Sequence, residues 1–332
     1  IVGHGSIGKR HLTILRQLLP KAEIAILRHK KDLEIPEGAD RVYSKMDEVI
    51  EFSPQMAVIA NPATFHVSTA MPLAEAGIHL LIEKPLSTSS YGVDKLIEIC
   101  NRRKTVLAIG YNLRHLESLQ KFKSFIDKKL IGDIWSVRSE IGQYLPSWRP
   151  DNDYTLSVSA RKKHGGGSLL ELSHEIDYLR WIFGEIDWIQ ATLSKQSDLL
   201  IDVEDTAHLI LGFAANNDGK QLIASVNLDF IRQDTTRVCI AVGKSGSLRW
   251  NALTGTVEIW KLGMQGWEEI YKQKTSMHSS YIDECKDFIE SIEKGSEPKT
   301  RGEDGLRVLQ VIDAARKANE TRSQVKINKH YG

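Results

Sequence analysis

Three glycines within the first eight residues, Gly3, Gly5 and Gly8 of IVGHGSIGKRH, restrict the fold of this chain more than any other feature. They follow a short apolar segment, Ile1-Val2, and precede an amphipathic stretch from His11 to Leu19 that Pro20 closes. A strand that passes through a tight glycine turn into a helix opens a βαβ unit, and its backbone can approach a pyrophosphate at the helix N-terminus. Glycine turns are common, so the spacing carries weight only if the following segments alternate in the same way. They do. Glu23 to Leu27, Met56 to Ala60, Ile78 to Ile82 and Val106 to Asn112 are short apolar runs, and TFHVSTAMPLAEAG and SYGVDKLIEICNRR read as helices between them, the first perturbed by Pro72. Near-continuous apolar strands alternating with helices predict a doubly wound parallel sheet covered on both faces. Gly3, Gly5, Ser6, Ile7 and Gly8 are the expected dinucleotide cradle.

The rhythm changes near residue 115. After a helical HLESLQKFKSFIDKKL, period-two stretches dominate: IWSVRSEI, TAHLILGFAA, QLIASVNLDF, TRVCIAVG, SLRWNA and TVEIWKL. These predict an open, mainly antiparallel sheet. Helices return in YIDECKDFIESIEKG and EDGLRVLQVIDAARKAN. The expected organisation is a Rossmann domain over 1–115 and an α+β substrate-binding domain over 116–332. With 44 Lys+Arg against 43 Asp+Glu, the charge gives no reason to expect nucleic acid or an anionic membrane as partner. No apolar run approaches the roughly 20 residues that span a bilayer. Three scattered cysteines, Cys100, Cys239 and Cys285, fit a reduced, cytoplasmic setting. The chain starts without methionine and partway along a strand, which leaves an upstream targeting segment open.

Dinucleotide sites that prefer NAD place an acid about 20 residues after the glycines, on the ribose 2′-hydroxyl. Here the second strand ends in ILRHKKD, with Arg28, His29, Lys30 and Lys31 before Asp32. A basic cluster attracts a 2′-phosphate where a carboxylate repels it, and Arg28 offers two parallel donors. Arg28 and His29 therefore point to NADP(H); Asp32 keeps NAD in play, and a solvated basic loop is the plain alternative.

The stretch ANPATFHVSTAMPLAEAGIHLLIEKPLS, with Asn61-Pro62, His66, Ala76-Gly77 and Glu83-Lys84-Pro85, resembles the segment that marks the Gfo/Idh/MocA oxidoreductases. AIGYNLRH, GGGSLLELSHEIDYLRWIFG, VEDTAHLIL and EDGLRVLQVIDAARKA follow in the family's order, so the resemblance spans nearly the whole chain. It implies a nicotinamide cofactor, met by Asn61, Pro62, His66, Glu83 and Lys84, and hydride transfer at a sugar or polyol hydroxyl. Lys84 falls on the family lysine beside that hydroxyl, where a fixed cation stabilises charge developing on oxygen. His174 matches the histidine that commonly acts as general base. The family's aspartate four residues earlier is replaced by Leu170, so Glu171, or Asp177 one turn after the histidine, becomes the candidate partner.

Ser168 and Glu171 have the spacing of a capping box that opens a helix, and this competes for Glu171. At about 100° per residue, Leu172, Ile176, Leu179 and Phe183 form one stripe and His174 lies opposite, beside Leu170 and Trp181. Glu171, His174 and Asp177 lack the H-E-x-x-H spacing of a zinc site, and no metal is expected. Tyr111, Asn112 and Arg114 at a strand end, with Trp148, Tyr154 and Arg161 in the following polar loop, are candidate substrate contacts, as is Asp177; the arginines would suit an anionic sugar derivative. Trp250 and Trp260 lie on the antiparallel sheet, whose exposed face the family resemblance implies as a homodimer or homotetramer interface. Two other functions share the scaffold: a glycosidase with internal redox cycling, and a cofactor-binding sensor without turnover.

Overall fold

A computed structural model describes residues 1–28, 34–215 and 219–327. Contacts divide the chain into two compact units, Ile1–Asn112 with His278–Leu309, and Leu113–Met277 with Gln310–Gly332. The first unit opens with helix α1 (Ser6–Leu18), strands β1 (Ala25–Leu27) and β2 (Arg41–Tyr43), and helix α2 (Met46–Phe52). It continues with β3 (Met56–Ile59), α3 (His66–Glu75), β4 (His79–Glu83), α4 (Val93–Arg103) and β5 (Leu107–Gly110). Its named strands pair in parallel, and one isolated antiparallel bridge joins Ala108 of β5 to Arg301. The expected first strand is a single residue, Val2, which bridges Leu27 on one side and Ile59 on the other. The sheet order is thus β2, β1, Val2, β3, β4, β5.

In this unit one sequence expectation is corrected and two elements are new. Helix α3 runs through Pro72, since Ala76 N–H still reaches the Pro72 carbonyl at 3.1 Å; Gly77, at φ +79°, ends it. β2 and α2 had no sequence signal strong enough to be read; β2 is only three residues long.

The second unit contains α5 (Glu117–Asp127), β6 (Ile134–Gly142), α6 (Ser168–Glu171), α7 (His174–Phe183), β7 (Ile186–Ser194) and β8 (Thr206–Phe213). β9 (Ile223–Asp229), β10 (Thr236–Gly243), β11 (Gly246–Asn251), β12 (Thr256–Trp260) and β13 (Glu268–Lys272) follow. α8 (Ser279–Lys294) and the start of α9 (Gly302–Thr321) belong to the first unit, and the rest of α9 with β14 (Val325–Lys326) to the second. The nine-stranded sheet runs β13-β12-β11-β10-β6-β9-β8-β7-β14 and is antiparallel apart from the β6–β9 pair. Its period-two pattern buries Val137, Ser139 and Ile141 of β6 with Cys239 and Ala241 of β10.

Trp250 belongs to that buried face. It is fully buried, its indole N–H donates to Ser118 Oγ at 3.1 Å, and its ring meets Tyr178 edge-on at 5.4 Å. It is therefore no part of an exposed sheet surface. Helix α8 also departs from the expected division after residue 115, because it packs within the first unit. Its Cys285 and Phe288, flanked by Tyr281 and Ile292, form an i, i+4, i+7, i+11 stripe that joins Leu12, Leu15, Ile26 and Leu81 in one core. No described helix is long and apolar enough to cross a membrane.

Candidate active site

The glycine turn is built as a cradle, and each glycine has a separate reason to be there. Gly3 sits at φ +92°, and a Cβ on it would lie 2.8 Å from the Ala60 carbonyl oxygen at the end of β3. A Cβ on Gly8 would lie 2.2 Å from the Gly3 oxygen, so this glycine lets α1 close onto the turn. Gly5 meets nothing within 4 Å; it is the N-cap of α1, and no side chain caps that helix. Ser6 is exposed and Ile7 half-buried beside it. The uncapped N–H groups of the first turn, with open space in front of Gly5, fit a pyrophosphate.

Beside this turn lies a cleft of about 600 Å³ lined by His4, Lys9 and Arg28 together with Glu34 and Glu37. Burial, then the charges of Lys9 and Arg28, holds the His4 imidazole below its ordinary pKa. Arg28 donates to the Glu34 carbonyl, and its Nε has no partner among the described residues. His29, with Lys30, Lys31 and Asp32, lies outside the described residues. His4 and Lys9 were not singled out in the sequence; they sit inside the glycine motif and one position beyond it, where their basic character was the available signal.

Because the strands are parallel, Val2, β3, β4 and β5 all end on one edge of the sheet, the edge where α/β sheets bind ligands. Asn61 and Pro62 follow β3 there. Asn61 donates to Thr69 Oγ1 at 3.0 Å, while its own Oδ1 has no partner among the described residues. His66 is fully enclosed, Nε2 at 2.7 Å from the Asn61 carbonyl and Nδ1 at 2.9 Å from the Pro85 carbonyl, so it ties the end of β3 to the turn after Lys84. Burial depresses its pKa, against those two hydrogen bonds and the charge of Glu83. Glu83 is buried too, bonded to His11 Nε2 at 2.6 Å and to the backbone N–H of Lys84 at 3.2 Å. Lys84, half-buried, follows directly and precedes a cis Pro85. Beyond β5, Tyr111 is fully buried, and Asn112 is buried and donates to Ser280 Oγ of α8 at 2.7 Å.

In the second unit the expected continuous helix is broken. α6 ends at Glu171 and α7 begins at His174. Ser168 is not the N-cap and no capping box forms: Gly167 at φ +109° precedes the helix, and Glu204 supplies its acceptors. Ser168 N–H donates to the Glu204 carbonyl at 3.1 Å and Leu169 N–H to Glu204 Oε1 at 3.1 Å. Burial holds that carboxyl above its usual range. The break removes the single-helix periodicity that placed Glu171 on the His174 side. His174 is the first residue of α7 and is buried at 8% exposure; Ile176, Leu179 and Tyr178 are fully buried, so this helix is covered on more than one face, as the sequence suggested.

Asp177 and Arg114, both read as substrate contacts, hold each other. Arg114 donates Nε to Oδ2 at 3.0 Å and Nη2 to Oδ1 at 2.6 Å, with both residues buried. The polar loop is likewise internally bonded: Trp148 donates to the Gln143 carbonyl at 3.1 Å, Arg161 Nε to the Thr155 carbonyl at 2.6 Å, and Tyr154 OH accepts from Leu200 N–H at 3.2 Å. Trp148 and Tyr154 nevertheless line a cavity of about 330 Å³ with Arg149 and Asp153.

A glycine turn at the carboxyl edge of a doubly wound parallel sheet, opening onto a helix N-terminus, is the architecture of dinucleotide-binding domains. Comparison with known families agrees. The model described as "Oxidoreductase family, NAD-binding Rossmann fold" matches residues 1–111, and that described as "Oxidoreductase family, C-terminal alpha/beta domain" matches 123–327. The chain belongs to the Gfo/Idh/MocA family of oxidoreductases. It is 27% identical to myo-inositol 2-dehydrogenase of Thermotoga maritima, covering 100% of this chain and 99% of that one. It is 21% identical to an NADP(+)-type scyllo-inositol 2-dehydrogenase of Bacillus subtilis, over 98% of this chain and 94% of the relative. Levoglucosan dehydrogenase, solved with NADH, superposes with a TM-score of 0.87 at 22% identity, over 99% of this chain and 98% of that one.

Proposed function

We propose that this chain is an NADP(H)-preferring dehydrogenase that oxidises a secondary hydroxyl of a cyclic polyol or sugar, or reduces the corresponding ketone. The observation that carries this reading is the shared sheet edge, where the open Gly5 turn, Asn61 Oδ1 (without a partner among the described residues) and Lys84 end neighbouring parallel strands. Nicotinamide bound there would supply the acceptor for the hydride lost from the carbinol carbon. In the forward direction this chain would hold the alcohol and lead its O–H proton to a base as the carbonyl forms. Lys84 stabilises the charge on oxygen as the proton departs. We assign the proton to His174 by its motif and by its place at the start of a buried helix; Glu171 is its proposed carboxylate partner. The inositol dehydrogenases among the relatives support a neutral ring polyol as substrate. Arg114 is spent on Asp177 and Arg161 Nε on a backbone carbonyl, which weakens the case for an anionic sugar.

Lys9 and Arg28 in the cleft beside the glycine turn support the 2′-phosphate, against the two acids Glu34 and Glu37 that line it as well. Turnover with a panel of inositols and anhydrosugars, measured with NADP+ and NAD+ separately, tests both parts. NADP+ is expected to give the higher kcat/KM. Arg28→Glu removes a charged donor and adds a repelling acid, so the NADP+/NAD+ ratio should fall roughly 100-fold. An unchanged ratio would place the phosphate elsewhere, and absence of reduced cofactor with every polyol and sugar would end the dehydrogenase reading.

A further inference from the structure

The first unit buries a polar cluster that the proposed chemistry leaves without a task. His11 of α1, Glu83 at the end of β4, and Glu284 and Cys285 of α8 are exposed by only 0, 7, 2 and 0%. Packing of α8 against α1 brings them together. His11 Nδ1 lies 3.5 Å from Cys285 Sγ, and the opposite ring nitrogen holds Glu83. One carboxyl oxygen each of Glu83 and Glu284 and a ring nitrogen of His11 lie within 4.8 Å of one another. Neither oxygen of Glu284 has a hydrogen-bond partner among the described residues.

An unsatisfied, fully buried carboxyl group is expensive, and its surroundings indicate its state. Burial, then the charges of Glu83 and Asp287, holds Glu284 well above the usual carboxylate range. Burial pushes Glu83 the same way, but the His11 hydrogen bond and the charges of His11, Lys84 and His66 outweigh it and leave Glu83 below that range. Neighbouring carboxyls shifted in opposite directions divide into an acid and a carboxylate. A metal ion fits poorly. Tetrahedral ligands about 2.0–2.2 Å from zinc stand roughly 3.4 Å apart, whereas His11 and Glu83 are 2.6 Å apart and bonded to each other.

We propose that Glu284 is a positioning residue for hydride transfer: as a hydrogen-bond donor to Glu83 through one bridging water, it completes the acceptor shell of that carboxylate and keeps it from capturing the ammonium of adjacent Lys84. A carboxylate has about four acceptor sites, and the structure fills two of those on Glu83 with His11 and the Lys84 N–H. The next residue carries the cation that the reaction needs on substrate oxygen. The inference rests on the proposed role of Lys84.

Three proteins test it: the wild type, Glu284→Gln and Glu284→Leu. Leucine fills the space and donates nothing, so kcat should fall roughly 10- to 100-fold, the range of one lost hydrogen bond to a charged group. Cofactor affinity and melting temperature should change little. Glutamine donates from the same position and should recover most of the lost kcat. A leucine variant with wild-type kcat overturns the proposal, and so does a glutamine variant as slow as leucine. Infrared spectroscopy gives a readout independent of turnover and of the leucine variant. A carboxylic-acid carbonyl band is expected at neutral pH in the wild type and not in Glu284→Gln; its absence from the wild type also overturns the proposal. Should the wild type oxidise no polyol, the proposed function fails, and the infrared band alone decides whether Glu284 is a donor.

Discussion

Lys84→Ala should lower kcat by about 10²–10³-fold, the loss seen when one donor to a developing oxyanion is removed. Binding of NADPH, followed by quenching of protein fluorescence, should stay within about threefold of wild type, because a group acting on the transition state contributes little to ground-state binding. The structure permits this separation. The proposed pyrophosphate cradle is made of backbone at Gly3, Gly5 and Gly8, and Lys84 does not line the cleft beside it. The turn carrying Lys84 is held by Glu83 through His11 and by His66 through Asn61 and Pro85, so truncating the lysine leaves its supports in place. Lys84→Arg keeps the positive charge but spreads it over a planar fork, and only part of the activity should return. Unchanged turnover in the alanine variant would remove Lys84 from the chemistry.

The parts legible in the sequence are those whose signal is local. Glycine spacing, strand period and helical stripes depend on neighbours in the chain, and they gave both sheets and the cradle. What escaped depends on partners distant in sequence. Arg114 and Asp177 are 63 residues apart and pair in the fold, so each alone resembled a substrate contact. The break between α6 and α7 has no proline or glycine to announce it. Ser168 and Glu171 fulfil the capping-box spacing, but Glu204, arriving from another part of the unit, takes the helix N–H groups first. The apolar stripe of α8 was readable, whereas the core it joins was not, because chain order suggested the later domain. A period-two strand likewise shows that Trp250 has a buried or exposed face to choose, and only the ring of Tyr178 and the hydroxyl of Ser118 decide it.

The cradle itself yields the other large effect, as a contrast between two glycines three residues apart. Gly8→Ala places a methyl group 2.2 Å from the Gly3 oxygen, a backbone atom with no rotamer by which to yield. The turn must open. Overpacking of this kind costs about 1–3 kcal/mol, so melting should drop by several degrees, and NADPH affinity should fall with it because the N–H groups of α1 lose their arrangement. Gly5→Leu meets no protein atom within 4 Å of its Cβ, and its φ of −77° suits any residue. Its melting temperature should therefore match the wild type. Cofactor affinity should nonetheless collapse by about 100-fold or more, since the leucine fills the space a pyrophosphate needs and each 1.4 kcal/mol is tenfold. Calorimetric titration with NADPH beside a thermal melt separates the two variants. A Gly5→Leu protein that binds NADPH as tightly as wild type would show that the phosphates approach the sheet edge elsewhere.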